Sequence, residues 1–173
     1  MAVLFDGEIA SSEGMERFGI RLASELRAGD LLVLTGPLGA GKTTLTRGIG
    51  AGLDVRGPVA SPTFVLARTH PPLGEGGVPL VHVDAYRLGS AAELDDLDID
   101  FDRSVVVVEW GSGFLDGVAE SWLDVTIERP VGAGAPDAGA SDATDADVTA
   151  PDDEPRRVTV VAHGPRWSAV TLP

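Results

Sequence analysis

The chain has no cysteine and a single lysine among its 173 residues. Without a thiol it can have no disulfide, no thiolate nucleophile and no thiolate metal site. No apolar run approaches the ~20 residues needed to span a bilayer. The start, Met1-Ala-Val-Leu-Phe-Asp-Gly-Glu8, lacks a basic region and carries two early acids, so no signal peptide and a cytoplasmic location are expected. A basic stripe is also missing: the net charge is −14, and independent binding to a nucleic-acid backbone is not expected.

The acidity is uneven. Residues 131–155 contain Asp137, Asp142, Asp145, Asp147, Asp152, Asp153 and Glu154, with no basic residue. Their Ala/Gly/Pro/Asp/Thr composition cannot bury enough apolar surface to order itself. We read this stretch as a disordered insertion within one domain spanning residues 1–173, the domain count that the length predicts.

The only lysine stands inside Gly36-Pro-Leu-Gly-Ala-Gly41-Lys42-Thr43, a G-x-x-x-x-G-K-[ST] pattern. Such a loop curls its backbone N–H groups around phosphates, while the lysine reaches the β- and γ-oxygens and the following hydroxyl ligates Mg²⁺. The cradle expected here runs from Gly36 through Leu38, Gly39, Ala40 and Gly41 to Lys42, Thr43 and Thr44. Its context agrees. Leu31-Leu-Val-Leu34 reads as a buried parallel strand, and Leu45, Ile49 and Leu53 recur at helical spacing after Lys42. Strand, glycine loop and helix aim a helix N-terminus at an anion.

Elsewhere the spacing of Met15, Phe18, Leu22 and Leu26 predicts an amphipathic helix over 12–27, capped by Ser11 or Ser12 and closed by Gly29. Thr63–Ala67 and Pro79–Asp84 read as strands. The short, glycine-rich loop between them is too brief for a parallel crossover, so they should form an antiparallel hairpin in a mixed sheet. A short helical piece is expected at 91–97 and strands at 104–108 and 122–128, the latter alternating. Arg157–Val161 and Trp167–Leu172 look like a terminal hairpin, which makes the acidic insertion a loop between strands. The fold class is α/β, a P-loop NTPase-like three-layer sandwich around a mixed parallel and antiparallel sheet.

Hydrolysis also needs carboxylates, and two stand at the carboxyl ends of predicted strands, the edge where open α/β sheets bind ligands. Asp84 is the expected partner of Thr43 in holding Mg²⁺, and Glu109 the expected residue for orienting water, with metal ligation as a second role. The bland alternative for each is a capping or surface carboxylate. Ser61-Pro62-Thr63 occupies the place of a switch that senses the terminal phosphate, with Thr63 offering a hydroxyl, although it also suits an ordinary turn. Trp110, Tyr86 and Arg87 flank the acids and suit either packing or ligand contact. His82 lies mid-strand and reads as a core histidine.

Three other functions compete with this reading. A GTPase would need an N-K-x-D motif, which a chain with Lys42 as its only lysine cannot supply. A small-molecule kinase would add a lid bearing several arginines, and no such cluster is seen. A nucleotide-gated adaptor with little hydrolysis differs from an ATPase by rate rather than by residues, and stays open.

Together, Leu38-Gly-Ala-Gly-Lys-Thr-Thr44, Ser61-Pro-Thr-Phe64, His82-Val-Asp-Ala-Tyr-Arg-Leu88 and Val108-Glu-Trp110 resemble the TsaE family, the bacterial ATPases of tRNA threonylcarbamoyladenosine biosynthesis. The order S-P-T-F, H-x-D-x-Y-R-L and V-E-W carries the specificity; the phosphate loop by itself is generic. The resemblance implies an ATP- and Mg²⁺-dependent, partner-stimulated ATPase acting on a TsaB–TsaD complex and meeting tRNA only through it. By position it implies phosphate and metal binding at Lys42 and Thr43, a switch at Thr63, metal at Asp84, a catalytic acid at Glu109, and Trp110 beside the nucleotide. Pro37 departs from the polar residues common at its position, and residues 130–156 have no counterpart in the family pattern.

Overall fold

Three strands bury both of their faces, and their side-chain alternation decides where everything else packs. The computed structural model describes residues 1–62, 65–88, 93, 96–111, 119–129 and 154–172. Its strands are β1 (Ala2–Ile9), β2 (Leu31–Thr35), β3 (Ala67–His70), β4 (Leu80–Asp84), β5 (Val105–Glu109), β6 (Trp122–Glu128) and β7 (Arg156–His163). Its α-helices are α1 (Ser12–Ala23) and α2 (Lys42–Gly52). The strands form one sheet in the order β1-β7-β6-β2-β5-β4-β3. The inner run β6-β2-β5-β4 is parallel, β7 and β3 flank it antiparallel, and β1 pairs antiparallel with β7.

Successive strand residues point to opposite faces. Leu32, Leu34, Leu80, Val105 and Val107 therefore share one face, where they pack with Met15, Phe18 and Leu22 of α1 and Leu45 and Ile49 of α2. Leu31, Val33, Val81, Val83, Val106 and Val108 face the other way, against Ala85, Leu88, Leu97, Ile99 and Phe101. The same parity sends His82, Asp84 and Glu109 to the helix side, because they continue the rows of Leu80 and Val107. The two helices cross at backbone contact. A Cβ on Gly48 would sit 2.2 Å from the Glu16 carbonyl oxygen, and one on Gly19 2.5 Å from that of Leu45.

Helix α2, strand β2, the antiparallel β3–β4 hairpin and the alternation of β6 match the sequence expectations. Four features differ. Helix α1 stops at Ala23 because Ser24 turns its hydroxyl onto the Arg21 carbonyl and the next bonds tighten to i→i−3. The strand expected at 63–67 instead pairs over Ala67–His70, with Thr63 and Phe64 outside the described residues. Strand β1 is an addition to the expected strands, set by its antiparallel ladder with β7. There is no terminal hairpin, since β7 already has β1 on one edge and β6 on the other. The chain turns instead through a 3-10 turn at Pro165–Trp167 and inserts Trp167, 2% exposed, into the core. Neighbouring Arg166 ties the tail to buried Asp30 through contacts of 3.1 and 3.0 Å. The helical piece expected at 91–97 and the acidic insertion fall largely outside the described residues.

Candidate functional site

The loop that follows β2 is shaped by glycines at the points where a side chain would not fit. A Cβ on Gly36 would lie 2.4 Å from the Ile127 carbonyl oxygen of β6. Gly39 and Gly41 hold φ values of 73° and 109°, left-handed backbone that glycine adopts without strain. Gly41 is the N-cap of α2, which has no side-chain cap and no acidic residue in its first turn. Uncapped helix N–H groups with the positive end of the helix dipole behind them suit an anion. The residues therefore fit a bound phosphate chain. Pro37 does not disturb the loop: its carbonyl accepts from Ala40 N at 3.1 Å, closing the turn. Leu38 projects from the tip, 86% exposed.

Lys42, the first residue of α2, is only 5% exposed. Its Nζ donates to the Gly36 carbonyl at 2.8 Å and the Pro37 carbonyl at 3.1 Å. It also lies 3.9 Å from the centre of the Trp110 ring, a cation–π contact. Burial pushes the lysine's pKa down, and the carboxylates of Glu109 and Asp84 oppose that shift without cancelling it. Trp110 reaches this place by leaving β5 with a φ of 63°, unusual for a bulky residue, while its N–H donates to the Leu34 carbonyl at 3.0 Å. Tyr86 meets the indole edge-on at 5.7 Å.

Both predicted acids close their strands, and β4 and β5 pair in a register that sets Asp84 opposite Glu109. Glu109 is buried, 5% exposed. Its Oε1 accepts from the Thr43 hydroxyl at 3.2 Å and meets His82 Nε2 at 2.8 Å. Asp84 is less buried, and its Oδ1 accepts from Tyr86 N at 3.0 Å. The structure thus brings Lys42, Thr43, Asp84, Glu109 and Trp110 to one sheet edge, while Thr63 lies outside the described residues. The direct contact of Thr43 is with Glu109, and Asp84 stands beside Glu109 on the neighbouring strand. His82 is buried in mid-strand as the sequence suggests, but its contact with Glu109 was not foreseen; the signal is its place two residues before Asp84, on the same face of β4.

Among the described residues no group of three or more His, Asp or Glu side chains forms a closed metal cage. One hydroxyl and two neighbouring carboxylates fit Mg²⁺, which takes one or two protein carboxylates and completes its octahedron with water and phosphate oxygens. A separate cavity of about 370 Å³, lined partly by Asp30, Phe101, Ser121 and Arg166, opens at the amino end of β2. It lies at the opposite edge of the sheet from the glycine loop.

Comparison with known proteins agrees with this geometry. The sequence profile described as "Threonylcarbamoyl adenosine biosynthesis protein TsaE" matches residues 9–133. A tRNA threonylcarbamoyladenosine biosynthesis protein TsaE from Streptomyces coelicolor is 53% identical over 161 residues, 91% of this chain and 97% of the relative. The TsaE of Mycobacterium tuberculosis is 54% identical over 119 residues, covering 64% of this chain and 71% of its own. The crystal structure of Bacillus subtilis YdiB superposes with a TM-score of 0.66 at 28% identity, covering 96% of this chain and 91% of that one. The fold is accordingly P-loop NTPase-like α/β around a mixed sheet. The chain belongs to the TsaE family, proteins of tRNA threonylcarbamoyladenosine biosynthesis.

Proposed function

We propose that the protein is an ATPase that binds ATP with Mg²⁺ in the loop from Gly36 to Thr44 and acts on a TsaB–TsaD complex during tRNA threonylcarbamoyladenosine modification. Contact with tRNA is through that complex only. The observation that carries this reading is the Thr43–Glu109 contact at 3.2 Å, which joins the start of the phosphate-loop helix to the acid ending β5.

Each residue has a task set by its position. Lys42 would exchange its two loop carbonyls for phosphate oxygens, staying under the Trp110 ring. Thr43 and Asp84 would hold Mg²⁺, whose charge offsets that of the phosphates. Glu109 would orient the attacking water toward the terminal phosphorus, so that the bond to the bridging oxygen breaks and ADP leaves. The uncapped N–H groups of α2 keep the anion in register. Exposed Leu38 and Tyr86 border this edge, which suits a site completed by a partner surface.

The test is steady-state and single-turnover ATP hydrolysis by the purified protein, alone and with the partner complex. Turnover that rises when the complex is added is the expected outcome. Equal hydrolysis in both conditions would count against partner stimulation, and tight ATP binding without hydrolysis in either would favour a nucleotide-gated adaptor.

A further inference from the structure

The helix-facing row of β4 runs Leu80, His82, Asp84, so an imidazole stands between a core leucine and a site carboxylate. His82 is 0% exposed. Its Nε2 lies 2.8 Å from Glu109 Oε1, whereas its Nδ1 is buried with no hydrogen-bond partner among the described residues. The register explains the reach. His82 pairs with Val107 and Asp84 with Glu109, so the ring crosses diagonally to the next residue on the same face of β5.

A histidine used only as filler would be a poor choice here. An apolar side chain of similar size would pack against Leu80 and Val107 without stranding a ring nitrogen in the interior. The stranded Nδ1 is tolerated beside a specific, short contact to the carboxylate. Oε1 also accepts the Thr43 hydroxyl, so it acts as an acceptor and the proton of the imidazole belongs on Nε2. Two donors from different elements, one on β4 and one on α2, thus hold the same oxygen. Both of these contacts are made to Oε1, and neither donor is placed on Oε2.

We propose that His82 is a positioning residue for Glu109: by donating Nε2–H to Oε1 it fixes the carboxylate so that Oε2 aligns water against a nucleoside triphosphate. This rests on the ATPase reading above. It assigns His82 no contact with nucleotide and no proton transfer.

The test is a double-mutant cycle with His82→Leu, Glu109→Gln and the pair, measured as kcat and KM with the partner complex and as the ATP–Mg²⁺ dissociation constant by calorimetry. His82→Leu is expected to lower kcat by about 10- to 100-fold, the scale of a misaligned reacting group. The dissociation constant should stay unchanged, and the loss should vanish in the Glu109→Gln background. His82→Gln, whose amide nitrogen can stand near Nε2, should recover most of the rate, while His82→Asn, which reaches only as far as Nδ1, should not. Thermal unfolding of the nucleotide-free variants should show coupling between the two positions. A normal rate for His82→Leu, an equal loss in both backgrounds, or equal behaviour of Gln and Asn would each overturn the proposal. If Glu109→Gln alone turned over normally, the catalytic reading of Glu109 would fall first and this inference with it. Should His82→Leu fail to fold, the Gln–Asn contrast decides.

Discussion

Because Lys42 is the only lysine, its ammonium can be followed alone in an NMR titration. Burial lowers its pKa from 10.5 in spite of the carboxylates nearby. In the window between the folded value and 10.5 the unfolded chain binds more protons, so stability should rise with pH there. Below that window the cost of burying the ammonium is fully present. We expect the lysine resonance of the nucleotide-free protein to titrate below 10.5, and to move upward when ATP is added, since phosphate charge favours the ammonium form. A midpoint above 10.5 without nucleotide would mean that the carboxylates outweigh burial. At Glu109 the substitution Glu109→Gln keeps the shape of the side chain and removes its charge. It should leave ATP affinity intact and cost ~10²-fold or more in turnover, which paired calorimetry and hydrolysis assays would read.

At the scale of elements, the helix pair depends on missing side chains. The Cβ of an alanine at Gly48 would meet the carbonyl oxygen, carbonyl carbon and Cα of Glu16 at 2.2, 2.9 and 3.0 Å, all backbone atoms that cannot swing aside. Alanine is the better helix former by ~1 kcal/mol, but overpacking typically costs ~1–3 kcal/mol and more when backbone must shift. Gly48→Ala should therefore destabilise the protein by about 1–2 kcal/mol in urea denaturation. Gly74→Ala, with nothing within 4 Å of its Cβ, should change little. Helix and strand periodicity could be read along the chain for α2, β2, β5 and β6. The periodicity of Ala2–Ile9 could not, because its Val3, Phe5 and Gly7 acquire meaning only opposite Val161, Val160 and Val158 of β7. The tail failed for the complementary reason: Trp167–Leu172 has strand-like residues, but both edges of β7 are taken.

Across the whole molecule, the β6–β7 pairing bears on the acidic stretch. Glu128 pairs with Arg157, and Arg129 binds Glu154 at 2.8 Å, so the two ends flanking residues 130–153 lie side by side. The same Glu154 is held by Arg156 at 2.9 Å, and these arginines pull its pKa down. A hairpin whose ends are already joined does not need the residues between them. Replacing 131–152 with a short glycine-serine turn should leave the melting temperature and partner binding unchanged. Loss of the complex on a sizing column would show that the stretch has a task of its own.

Features that depend on near neighbours along the chain are written in the residues themselves. Gly36 to Thr43 specify a phosphate loop through backbone freedom and one ammonium, and an acid after an apolar run marks a strand end. Tertiary structure decided which of these groups meet. Thr43 and Glu109 stand 66 residues apart and His82 and Glu109 27 apart, and only the strand order β2-β5-β4 brings them within hydrogen-bond reach. Periodicity tells which face a side chain takes, but not which strand lies beside it. That choice belongs to the packing of the whole sheet.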